Sequence, residues 1–239
     1  MYQTGALQTW CSIGNKAINS AFTYMGRAPL WYRLNILFNR ILISRIAYRY
    51  WRTFTHLGGK TIPKSSFSQG TLHIDISELW PNISLKTFSA IKFANDFSEF
   101  DYLIRANATC YVNFDLLQEF LKNETQQIWY GGPIEKGKDF VSGWGIILSK
   151  GAVEILIRNS KMFEIGLFDD ELIGKIMSEN GVKPFSIPFR ELFSIDDVAR
   201  LSNEEASKYP LYRMKSFQRG KRNDSEVMEA LHKRLKKVS

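Results

Sequence analysis

The sequence predicts an α/β sandwich with a mainly parallel central sheet, and three observations predict it. Short apolar runs recur at the length of buried strands. Between them lie segments whose apolar residues repeat every three or four positions, as on one helix face. Strands that alternate with helices in this way favour parallel pairing. At 239 residues and 44% hydrophobic, the chain suits one domain over 1–239.

The elements follow in order. Residues 6–14 read as a short helix and 17–25 as a strand stopped by Gly26. The stretch 29–54 reads as an inserted helix, aromatic and basic, with Arg33, Arg40, Arg45, Arg49 and Arg52 and no acid. Gly58-Gly59 ends it, and 58–70 reads as a Gly/Ser/Pro loop. Residues 71–76 (TLHIDI) read as a strand. Leu85, Phe88, Ile91 and Ala94 then recur every three positions, which predicts a helix. Residues 101–105 form a short apolar run suited to a buried strand, and 114–122 a helix with Phe114, Leu117, Phe120 and Leu121 on one face. Residues 139–149 combine Gly-x-Gly with an apolar strand, and a helix follows at 150–159. A further helix, 170–179, carries Leu172, Ile173, Ile176 and Met177 inward; Gly181 and Pro184 stop it. Residues 183–189 read as a strand. In the basic tail, 206–239, a last helix buries Val227, Met228, Leu231 and Leu235.

A net charge of +8 and a pI near 9.4 imply an anionic partner without saying which. Cys11 and Cys110 are too few for a disulfide framework or a zinc site and fit a reducing, cytoplasmic compartment. The first residues lack the basic start and apolar run of a signal peptide. No stretch of about 18 apolar residues predicts a membrane span. Asn82, Asn107 and Asn123 begin Asn-x-Ser/Thr triplets, which without a signal peptide read as chance. His56, His73 and His232 are unclustered, and Cys110 in its apolar context reads as inert.

Four pieces carry chemistry by their order: Thr9-Trp10; Lys86-Thr87; FDYLIRANATCYVNFDLL (100–117); and FVSGWGIILS (140–149) with FDDELIGKIM (168–177). This order resembles the Fringe-like and β1,3-galactosyltransferase-like glycosyltransferases of the GT-A fold. Those families show a Thr-Trp near the start, a Lys-Thr before a helix, a strand into an Asp-rich turn, a Ser-Gly-x-Gly strand, and an acidic pair opening a helix. The likeness covers roughly residues 6–190. In such families a strand precedes Thr9-Trp10, so its absence reads as a truncated or mis-assigned start. Residues 211–224 (LYRMKSFQRGKRND) resemble the ending of bacterial relatives, with Leu211 where a His is expected.

The resemblance implies a GT-A-like, Rossmann-like α/β/α sandwich and inverting transfer of a sugar from a nucleotide-sugar donor to a glycan or lipid-linked glycan acceptor. In this reaction negative charge grows on the leaving diphosphate, so positive charge belongs beside it. The acceptor hydroxyl must lose a proton, and a carboxylate serves as base. By position Asp170 matches that base, with Asp169 a cap or support; the plainer alternative is an acid favoured in a first helical turn. Lys86, Arg105, Asn107, Thr109, Arg213 and Lys215 fall on the donor side. Ser142, Gly143, Trp144 and Gly145 fall on the sugar or acceptor side, Trp144 either stacking on a sugar or filling the core.

One departure stands out. The Asp-x-Asp turn that holds a divalent ion (Mn2+) in the family reads Asn107-Ala108-Thr109 here. Neutral oxygens hold such an ion weakly without carboxylates. Three accounts stay open: a metal-independent enzyme with basic residues on the diphosphate, a metal on fewer ligands at Asn107 and Thr109, or an inactive relative. For the first, 206–223 holds Lys208, Arg213, Lys215, Arg219, Lys221 and Arg222 and no acid. Arginine suits bidentate phosphate contact, while Lys208, Lys221 and Arg222 read as solvated.

The 29–54 helix reads either as interfacial, touching the inner face of a membrane near a lipid-linked acceptor, or as a core-packed helix. The rival function is a non-enzymatic protein holding nucleic acid or an anionic surface. No nucleic-acid motif supports it, so nucleic acid is not expected.

Overall fold

A computed structural model describes residues 23–27, 65–68, 71–77, 82–163, 168–218 and 221–237. In chain order the elements are β1 (Thr23–Arg27), β2 (Ser65–Ser68), β3 (Thr71–Ser77), α1 (Ile83–Phe97), β4 (Tyr102–Ala106), β5 (Cys110–Val112), α2 (Phe114–Lys122), β6 (Tyr130–Gly132), β7 (Gly145–Ser149), α3 (Lys150–Arg158), α4 (Asp169–Glu179), β8 (Phe185–Ser186), β9 (Phe189–Leu192), α5 (Ile195–Ala199), α6 (Asn203–Ala206), β10 (Leu211–Met214), β11 (Phe217–Gln218), β12 (Lys221–Arg222) and α7 (Asp224–Leu235). The expected elements at 6–14 and 29–54 lie outside the described residues. The chain divides into two compact units, one of 1–21, 100–152 and 181–239, the other of 22–99 and 153–180.

The protein is mixed α/β, as the alternation predicts, but its sheets are mixed rather than mainly parallel. Among the described residues, β1–β3, β9–β10 and β6–β8 pair parallel, while β2–β3, β4–β7, β6–β7, β5–β10 and β11–β12 pair antiparallel. The reason lies in the connections. A direct return needs no crossover helix and leaves neighbours antiparallel, as between β6 and β7.

In the second unit β3 pairs with both β1 and β2. Its alternation is plain, with Leu72 and Ile74 buried and His73 and Asp75 exposed. Two expectations fail here. β1 runs through Gly26 to Arg27 with a register shift between Met25 and Arg27, so the glycine marks an irregularity rather than a stop. β2 lies inside the expected 58–70 loop; its serines are weak strand formers, and pairing with β3 makes the strand. Helix α1 buries Phe88, Ile91 and Ala94, and α4 buries Leu172, Ile173, Ile176 and Met177. Phe88 stacks on Phe163 at 4.5 Å. Helix α4 ends as expected: Gly181 follows its cap with φ +75°, the left-handed geometry glycine adopts without strain.

In the first unit the sheet order β4-β7-β6-β8 surrounds the all-buried β7. Of the expected strand 139–149, only 145–149 is strand. The expected strand 183–189 resolves into β8 and β9 on two different sheets. Ser149 explains the Leu-Ser ending of β7. Its hydroxyl donates to the Gln127 carbonyl (3.1 Å) and accepts the amides of Trp129 (2.8 Å) and Ala152 (3.3 Å), capping α3. Cys110, Val112, Leu117, Trp129, Trp144, Ile147, Ile187 and Leu211 make one core cluster. Helix α7 closes a second, with Val227, Met228, Leu231 and Leu235 against Tyr111, Tyr212 and Leu192. Cys110 is a fully buried thiol that takes part in no disulfide, pushed up to about 12 chiefly by burial; little thiolate forms at neutral pH.

Tyr111 and His232 tie α7 to β5, with Tyr111 Oη 2.8 Å from His232 Nδ1. Burial, then the charge of Asp115, pushes the phenol up to about 12. Burial, then Lys236, holds His232 below its ordinary value. Both shifts keep the pair neutral, the phenol donating and the imidazole accepting. A depressed folded-state His pKa means the unfolded chain binds the proton first, so stability falls as pH drops below about 6.5. Tyr111→Phe removes the donor and is expected to lower stability at pH 7.5 by about 1 kcal/mol in urea unfolding. In His232→Gln the loss of stability below about pH 6.5 is expected to flatten.

Candidate functional site

The candidate residues gather in two places, one in each unit. In the second unit, Lys86-Thr87 and Asp169-Asp170 meet although 82 positions separate Thr87 from Asp169. Thr87 lies in the first turns of α1 and Asp169 opens α4. The Thr87 hydroxyl donates to Asp169 Oδ2 at 2.7 Å, and both side chains are buried. Asp169 thus links the start of α4 to α1. Asp170 is half-buried, and its Oδ1 accepts the Glu171 amide at 3.0 Å. The α4 amides and helix dipole favour carboxylates at this end. Lys86 is half-buried one residue before Thr87. Thr87→Val keeps the volume but strips a donor from a buried carboxylate. It is expected to cost about 1–3 kcal/mol in urea unfolding, with Thr87→Ser restoring most of it.

In the first unit, three segments converge. Strand β4 carries Arg105, and the turn after it Asn107 and Thr109; Asn107 N bonds the Trp144 carbonyl at 3.3 Å. The Ser142–Gly145 turn is held by Ser142 N to Pro133 O at 2.8 Å and Gly145 N to Ser142 O at 3.2 Å. Strand β10 brings Arg213, with Met214 N bonded to Thr109 O at 2.8 Å.

The geometry revises several expected roles. Asn107 Oδ1 accepts both the amide (3.1 Å) and the hydroxyl (2.8 Å) of Thr109, so the turn's side-chain oxygens are spent on each other. With no carboxylate in the turn, this donor set does not suit a divalent ion. Among the described residues no group of three or more His, Cys, Asp or Glu could hold one. Trp144 is 2% exposed; Phe189 meets it edge-on at 5.3 Å and the Arg213 guanidinium lies 5.5 Å from its ring centre. Its ring fills the core rather than offering an open stacking face. Gly145 is also buried, and an added Cβ would meet Pro133 Cδ at 3.3 Å, so strand packing explains this glycine. Gly143 is half-buried and Ser142 is buried.

Arg213 and Lys215 are already paired with acids. Arg213 Nη1 lies 2.8 Å from Glu135 Oε1 and 3.6 Å from Glu191 Oε1; Lys215 Nζ lies 2.5 Å from Glu191 Oε1. Lys138 approaches Glu135 Oε2 at 3.4 Å. Burial raises the Glu135 carboxyl, but Lys138, the Ser142 hydroxyl and Arg213 outweigh it and hold it below the ordinary range. The β9–β10 register sets Arg213 opposite Glu191, and the 133–139 segment supplies Glu135. Neither glutamate carries a signal in the sequence, because strand register and loop path decide the pairing. Arg222, read as solvated, pairs with the buried Asp224 at 2.7 Å. No helix among the described residues is long and apolar enough to cross a membrane.

No family model matches the chain, and no curated protein matches it.

Proposed function

We propose that the chain is a GT-A-like inverting glycosyltransferase in which Asp170 is the base. The reading has one principal support, the buried Thr87–Asp169 bond. It joins the Lys-Thr and acidic-pair motifs, two of the pieces whose order carries the resemblance, and it fixes the start of α4 so that Asp170 is held on a rigid element. In the proposed reaction the acceptor oxygen attacks the anomeric carbon. The bond from that carbon to the diphosphate oxygen breaks, and the nucleotide diphosphate leaves with the electron pair. Asp170 takes the acceptor proton. By the resemblance, positions 105–109 belong to the donor's diphosphate and ribose and Lys86 to the donor side, where positive charge is needed. The acceptor is a glycan or lipid-linked glycan, handled in the cytoplasm at the membrane's inner face, with 29–54 as the contact.

The test is thermal stability against nucleotide sugars and free nucleotides, each with and without manganese. A ligand that binds the folded state alone raises the melting temperature by mass action. The expected result is an upward shift with a single uridine or guanosine diphosphate sugar. A folded protein that shifts with none of them sinks the proposal.

A further inference from the structure

We propose that the ion-paired cluster of Glu135, Glu191, Arg213 and Lys215, whose Arg213 lies over the Trp144 ring, forms a subsite for the hydroxyls of a neutral sugar; the idea rests on the glycosyltransferase reading for its place in a reaction. Charge decides first. The guanidinium and the ammonium each already meet a glutamate oxygen, at 2.8 and 2.5 Å. A diphosphate at Arg213 and Lys215 would have to displace one carboxylate while facing the other, exchanging anion for anion. That is a poor anion clamp.

Hydrogen-bond capacity decides second. A carboxylate offers about four lone-pair directions and a guanidinium five N–H donors. The ion pairs use few of these, and the four side chains are half-buried, so solvent and ligand reach them. Sugar hydroxyls donate to the carboxylates and accept from the guanidinium and ammonium, and no ion pair has to break. The third observation is independent. The Trp144 indole N–H, in a residue 2% exposed, has no hydrogen-bond partner among the described residues. A buried donor of this kind calls for an acceptor, and Arg213 lies over the same ring. An uncharged hydroxyl oxygen suits that donor, and reaching the buried nitrogen requires the side chains that cover it to shift.

The test uses saturation-transfer NMR on the full chain with a panel of methyl glycosides (glucose, galactose, mannose and N-acetylglucosamine) and inorganic pyrophosphate as the anionic probe. One or more glycosides should take up saturation from the wild type. Glu191→Gln keeps the shape but loses the charge, and should weaken that glycoside about tenfold. Excess pyrophosphate should leave the glycoside signal in place. Should Glu191→Gln fail to fold, Glu135→Gln carries the same expectation. Silence from every glycoside overturns the proposal. So does displacement by pyrophosphate, or a glutamine variant that tightens pyrophosphate without weakening the glycoside. The two readings separate cleanly. Glycoside binding without any nucleotide-sugar shift would leave the subsite standing and remove the transferase. A nucleotide-sugar shift with silent glycosides would do the reverse.

Discussion

Asp170→Asn is expected to cut sugar transfer about 100- to 10,000-fold while leaving donor binding unchanged. That range is what removal of a positioned general base takes from a rate. The fold should tolerate the change. Asp170 is half-buried at the start of α4, its Oδ1 accepting the neighbouring Glu171 amide at 3.0 Å, and Asn accepts the same bond. The electrostatic loss at a helix start is about 0.3–1 kcal/mol. Melting temperature and the donor-induced shift therefore stay near wild type, and only turnover falls. Asp169→Asn should behave differently, because the buried Thr87 bond makes that carboxylate structural as well. Its rate should fall together with its stability. Glu171→Gln, on the exposed side of the same turn, should transfer at close to the wild-type rate. If Asp170→Asn turns over like Glu171→Gln, the acid is a helix-start residue and the base lies elsewhere.

The parts of this fold that could be read in the sequence are those decided locally. Helix α2 runs over the predicted 114–122 because Asn113 caps it, accepting the Leu116 amide, and because its apolar face repeats at helical spacing. Helix α4 starts and stops where an acidic first turn and Gly181 say it should. Strand β3 announces itself by alternation. The parts that could not be read depend on partners far along the chain. Strands β5 and β10 are short and pair across about a hundred positions, so neither shows a period of its own. Parallel pairing was expected from alternation alone, yet most of the pairs are antiparallel, through direct returns in β2–β3, β6–β7 and β11–β12 and through longer paths in β4–β7 and β5–β10. At the candidate site, position in a motif located Asp169, Asp170 and Thr87 but carried no information on exposure. Of the two readings of Trp144, stacking on a sugar or filling the core, the packing gives the second, and Gly145, read on the sugar or acceptor side, is packed too. Arg213 and Lys215 read as a charge patch because the sequence between 206 and 223 has no acid. The neutralising acids come from another strand and another loop.

Gly132→Ala is expected to be the most damaging small substitution among the glycines described. Gly132 ends β6 at φ +150°, a conformation side chains rarely adopt. Space is the harder constraint. A Cβ there would sit 2.2 Å from the Gly145 carbonyl oxygen and 2.5 Å from Val141 Cγ1. The first of these atoms is backbone in β7, which is held between β4 and β6 by ladder hydrogen bonds, so it cannot swing aside as a side-chain tip would. On the other side Gly132 O accepts the Ile187 amide at 2.9 Å, which blocks retreat. Backbone strain and overpacking together are expected to cost about 3–5 kcal/mol, a large share of the roughly 5–15 kcal/mol that holds a domain. Gly137→Ala is the control. Its φ is also positive at +84°, but nothing lies within 4 Å of the added atom, so the cost is about 1–2 kcal/mol of conformation alone. At roughly 2–4 °C per kcal/mol for a chain of this size, Gly132→Ala should melt well below Gly137→Ala or fail to accumulate as soluble protein. Equal melting temperatures would mean that β6 and β7 do not approach so closely. The Ser142–Gly145 turn, which Gly132 and Pro133 brace from below, would then lose the rigidity that the sugar subsite needs.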